Sequence, residues 1–133
     1  MLTWILLASL LTIPAQAGDA NFEEVASITE LMTAMIIPSS NVVGNVGLDG
    51  DPSDEQWAEI ERQSIVLAES GNLLLMPSRA QGREDWIAAA TAMRDAGVLA
   101  LEAARAKNAD ALMIDISGAV FDACTQCHDQ YFN

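Results

Sequence analysis

The sequence predicts an all-α protein, an antiparallel four-helix bundle, from three observations. Beyond a short apolar leader, four stretches carry apolar residues stepping by three and four, the period of a helix with one buried face. Pro and Gly punctuate the chain and do not pervade it. The four stretches are roughly 22 residues each, about 33 Å at 1.5 Å per residue, with short connections that suit antiparallel neighbours.

The leader comes first. Met1 to Ile13 is an almost unbroken apolar run, followed by Pro14-Ala15-Gln16-Ala17. Small residues at Ala15 and Ala17 form an A-x-A cleavage site, so residues 1–17 read as a cleaved signal peptide, although a basic n-region is missing. An uncleaved amphiphilic anchor is the alternative. The run is shorter than the roughly 20 residues a spanning helix needs. The expectation is an exported, periplasmic protein with no stable membrane span in its mature chain. The single folded domain is residues 18–133, beginning near Gly18.

The first predicted helix runs from about Phe22 to Val46, with Phe22, Val25, Ile28, Met32, Met35, Ser39, Val42 and Val46 on its stripe. Pro38 lies inside it and should kink or interrupt it. A loop with Gly47, Gly50 and Pro52 follows, and Ser53 with Gln56 reads as a capping box. The second helix, about Asp54 to Leu75, has Trp57, Ile60, Ser64, Leu67, Gly71 and Leu74 on its seam. Met76-Pro77-Ser78 ends it, and Arg79 to Arg83 is a polar connection. The third helix starts near Glu84 and buries Trp86, Ala90, Met93, Gly97, Ala100 and Ala104, with Asn108 as its C-terminal cap. The fourth runs from about Ala109 to Tyr131 with Leu112, Ile116, Val120 and Ala123 inward. Small residues in these seams let helices approach closely. The alanine-rich third helix would gain from a large apolar insert.

The chain has 19 acids against 6 bases, a formal charge of −13, none of it in the leader. Phosphate binding needs a basic face, so nucleic acid is excluded as a partner. An acidic surface steers the protein towards partners with basic docking surfaces. Acidic pairs such as Glu23-Glu24, Asp54-Glu55 and Glu84-Asp85 fall near helix starts, where they favour the dipole. No nucleophile–base pair stands out, so the protein is not expected to be an enzyme.

Cys124-Thr125-Gln126-Cys127-His128 is a C-x-x-C-H run, the pattern of covalent haem attachment. Two thiols at this spacing reach the two vinyl groups on one porphyrin edge, and the histidine then offers a nitrogen to iron. Three other readings compete. A disulfide between adjacent helical turns has poor geometry. A thioredoxin-like pair wants a βαβ context. Structural zinc takes four protein ligands, and the chain has two Cys and one His. The expectation is one covalently attached haem c on Cys124 and Cys127, with His128 ligating its iron.

A leader, four amphipathic helices and a C-x-x-C-H motif near the C-terminus together resemble the class II cytochromes c, over essentially the whole mature chain. Tyr131, three residues after His128, matches the family's ending, where an arginine usually follows; here Phe132 follows. The family includes five-coordinate cytochromes c-prime and a methionine-ligated, low-spin branch. That branch resembles Arg-x-x-x-Met on the first helix, and Ile28-Thr29-Glu30-Leu31-Met32 is the matching stretch, with Ile28 in the arginine's place. The resemblance therefore implies Met32 as second axial ligand, with Met35, one turn on, as its competitor. It also implies pairing of two copies through the first two helices.

His128 is the only histidine, which excludes bis-histidine ligation within one chain. Met/His ligation closes the iron and suits electron transfer between redox partner proteins. A methionine that only fills the core would leave a five-coordinate iron that binds or buffers nitric oxide or carbon monoxide.

Overall fold

The computed structural model describes residues 22–48 and 50–132, and the expected leader lies outside the described residues. Every regular element among the described residues is helical. None of these helices is long and apolar enough to cross a membrane.

The first helix starts at Ile28, later than the apolar stripe suggested. Ser27 and Glu30 close a capping box: the Ser27 N–H donates to Glu30 Oε2 at 2.8 Å, and the Glu30 N–H donates to Ser27 Oγ at 3.2 Å. Upstream of this stop Phe22 is 67% exposed and Val25 is 90% exposed, while Ala26 packs against the core. Ile28–Leu31, Met32–Ile36 and Ile37–Gly44 then run on as one helix, α1, residues 28–44.

Pro38 widens α1 without breaking it. Proline has no N–H to donate, and its ring crowds the preceding carbonyls. Met32–Ile36 forms a π-helical turn, in which the Ile37 N–H donates to Met32 O five residues back. The wide turn accommodates one extra residue and resets the buried face. Leu31, Ile36, Ser39, Val43 and Val46 are buried, while Met32, Met35 and Val42 are only half-buried.

The second helix, α2, is Asp54–Leu74, and its predicted Ser53–Gln56 capping box is formed. A one-turn helix follows, α3, Pro77–Ala80. Gln81 (φ +49°) and Gly82 (φ +70°) then turn the chain left-handedly into α4, Glu84–Arg105. All the predicted seam residues of α2 and α4 are buried.

Helices α2 and α4 run antiparallel. Asp54 pairs with Lys107 at 2.5 Å and Glu61 with Arg105 at 3.1 Å near one end. Further along, Gly97 lies against Ala68 and Gly71 against Arg94, so numbers rise on one helix as they fall on the other. The two glycines let the backbones touch: a Cβ on Gly97 would lie 2.6 Å from Ala68 N, and one on Gly71 2.8 Å from Arg94 Cα.

The Asn108 N–H closes the end of α4 on Ala103 O at 2.9 Å, but the left-handed residue of that cap is its neighbour. Lys107 takes the left-handed conformation (φ +51°), and the Asn108 side chain accepts the Ala111 N–H at 3.1 Å, starting the next helix. That helix, α5, spans residues 109–131 through Ala109–Ala111, a second π turn at Leu112–Ile116, and Ser117–Tyr131. The loop before it has three residues, so α5 doubles back along α4, and Tyr131 meets Trp86 edge-to-face at 5.2 Å. Leu67, Leu112, Val43 and Trp86 are the largest core anchors, and burying each stabilises the fold by about 1.5–3 kcal/mol.

Candidate functional site

Cys124, Cys127 and His128 sit on the regular last segment of α5, Ser117–Tyr131. Spacings of three and four residues place them on one helix face. Both cysteines are free thiols. Cys127 is buried, Cys124 is half-buried, and His128 is exposed with its ring 5.3 Å from that of Phe132.

These three side chains line one cavity with Met32 and Ile36 of α1, Leu74 of α2 and a wall from α4. That wall is Trp86, Ala89, Ala90 and Met93. The site is therefore assembled from elements about ninety residues apart in sequence. Trp86 is fixed by its Nε1–H, which donates to Leu74 O at 2.8 Å, and this bond ties the start of α4 to the end of α2.

The cavity encloses about 350 Å³ between atoms, counting the part open to solvent. The walls are closed enough that the space between them is about that of one water molecule. A flat macrocycle needs more room than these walls leave as they stand. The donor set of the lining is of a kind a haem takes: two thiols and an imidazole from α5 and thioethers from α1 and α4, among apolar side chains.

Burial pushes both thiols above the ordinary cysteine range. At Cys127 the neighbouring Cys124 adds to the rise, and the charge of Arg83 opposes it. Among the described residues, no three His, Cys, Asp or Glu side chains converge as a set that could hold a bare metal ion.

Of the methionines weighed from the sequence, Met32 lines the cavity, whereas Met35 packs against the core beside it. Met76 is engaged elsewhere, its sulfur 2.7 Å from an Arg79 nitrogen, and Met113 lies against Gly47. Met93, on the α4 stripe, also lines the cavity.

Two further residues were read only as parts of a polar connection. Arg79 is 5% exposed, donates to Leu73 O at 3.0 Å and to Ala26 O at 2.9 Å, and leaves its Nε–H without a partner. Arg83 lies over Trp86, and its place three residues before a buried tryptophan at a helix start was the available clue.

In comparisons with known proteins, no family model, curated protein or solved structure matches this chain.

Proposed function

We propose that this protein is an exported c-type electron carrier, an antiparallel four-helix bundle that holds one covalently attached haem. The observation that supports it best is the convergence of Cys124, Cys127, His128 and Met32 on one apolar cavity. Cys124 and Cys127 would each bond a vinyl group through sulfur, and His128 would ligate the iron. Met32 would supply a thioether ligand to the iron, with Met93 as the alternative. When bound, the haem supplies one-electron chemistry, and a His/Met ligand pair favours the reduced state and closes the iron to outside ligands.

The chain's own residues do the rest. Trp86, Ile36 and Leu74 exclude water from the cavity, and the alanines of α4 present a flat, small-residue wall. The acidic surface directs the carrier to basic partners.

The test is the protein matured beside a bacterial haem-ligation system. One porphyrin mass that survives acid–acetone extraction is expected, with a ferric spectrum showing a thioether charge-transfer band and no carbon monoxide binding. Met32→Ala should give a high-spin, carbon monoxide-binding protein, and Met93→Ala should not. Absence of the mass refutes the haem reading.

A second reading follows from the apolar lining on the α4 side. If the wild-type spectrum is high-spin and indifferent to Met32→Ala, the cavity suits small neutral gases, and the protein is a five-coordinate gas binder.

A further inference from the structure

One cation is held against the end of the cavity formed by Trp86 and the last turn of α5. The Arg83 guanidinium carbon lies 4.5 Å from the Trp86 ring centroid and 4.9 Å from that of Tyr131. Both rings belong to the site's frame: Trp86 lines the cavity beside Cys127 and His128, and Tyr131 is three residues beyond His128. The head group is also tethered from behind. Its Nε–H donates to Ala80 O at 3.2 Å, and a terminal nitrogen donates to Arg79 O at 2.6 Å. Arg79 is itself locked by main-chain carbonyls. The charge is thus half-buried and fixed in direction.

A fixed charge beside a low-dielectric cavity acts more strongly than one in water.

We propose that Arg83, held between Trp86 and Tyr131, is the positioning charge that sets the reduction potential of an iron porphyrin carried by Cys124, Cys127 and His128. This rests on the haem reading above. Taking up one electron from a chemical mediator turns ferric iron ferrous and adds one negative charge to the site. A nearby cation favours that state, and no proton moves with the electron.

The experiment is a spectroscopic redox titration of the loaded protein against one-electron mediators. Arg83→Met and Arg83→Gln remove the charge with different shapes, and Arg83→Lys keeps it. At a fixed mediator potential, the ratio of reduced to oxidised protein is expected to fall about tenfold in both neutral variants, which is 59 mV for a one-electron couple. Arg83→Lys should recover most of that ratio, and the spin state should match wild type in all three. Loaded neutral variants with an unchanged ratio overturn this assignment alone, as does a lysine variant that behaves like the neutral ones. A wild-type chain that carries no porphyrin overturns the haem reading and this one with it.

Discussion

Gly97→Ala gives a sharp test of how α2 and α4 are joined. In an ordinary helix the change stabilises by about 1 kcal/mol, because alanine loses less backbone freedom than glycine. At Gly97 the new methyl would stand 2.6 Å from Ala68 N, 2.8 Å from Ala68 Cα and 3.0 Å from Ala68 Cβ. Ordinary contact begins near 3.4 Å, so the two backbones must part by about 0.8 Å. The obstacle is main chain and cannot rotate away. Parting the helices also loosens the wholly buried Leu67 and Ala100 on either side. Overpacking of this kind costs typically 1–3 kcal/mol, and contact with rigid main chain belongs in the upper half of that range, about 2–3 kcal/mol, so after the helix gain a net loss of about 1–2 kcal/mol is expected. Gly118 supplies the control, since a Cβ there meets nothing within 4 Å. Gly118→Ala should stabilise by about 0.5–1 kcal/mol. At roughly 4 °C per kcal/mol for a chain of this size, the two variants should melt on opposite sides of wild type. Thermal and urea unfolding followed by circular dichroism would measure both. If Gly97→Ala melts at or above wild type, the close α2–α4 approach described here is wrong.

Two other predictions concern ionisable groups. Lys107 beside Asp54 holds the Asp54 carboxyl below the usual carboxylate range. A depressed folded-state value means that its stabilisation is present above the unfolded value, near pH 4, and is lost as the pH falls through the folded one. Asp54→Asn should therefore melt below wild type at pH 7 and together with it in strong acid, and a gap that persists in acid would exclude the pairing. The raised thiols of Cys124 and Cys127 should make the folded, porphyrin-free chain react with iodoacetamide at pH 8 about tenfold slower than a cysteine peptide, with urea restoring the rate. Equal rates in folded and unfolded chain would show that the thiols are not sheltered.

Helices α2 and α4 could be read from the sequence almost residue by residue. Their seams keep one period throughout, and burial follows it from Trp57 to Leu74 and from Trp86 to Ala104. The thiols and imidazole were equally legible, because spacing within one helix fixes their common face. The start of α1 was less so: the apolar Phe22 and Val25 suggested a longer helix, while the Ser27–Glu30 box that stops it went unread. Its stripe was right at Ser39 and Val46 but one residue off at Met32, Met35 and Val42, whose neighbours Leu31, Ile36 and Val43 are buried instead, since a periodicity count assumes uniform turns and one turn here is wide. The two arginines of the connection were opaque for a different reason. Arg79 is buried by carbonyls from the end of α2 and from residue 26, and Arg83 by rings from α4 and α5. Both environments arise only when distant segments meet.

The wide turn in α1 gives that helix two independent orientations. Downstream of it, Ile36, Ser39 and Val43 are anchored in the interior, and the Ser39 hydroxyl locks onto the Met35 and Ile36 carbonyls. Upstream, Leu31 is the matching anchor, and Met32 opens the wide turn between the two. One residue gained or lost in that turn would therefore rotate Leu31 and Met32 together, so the thioether at the cavity and the seat of the helix start are tied to one another.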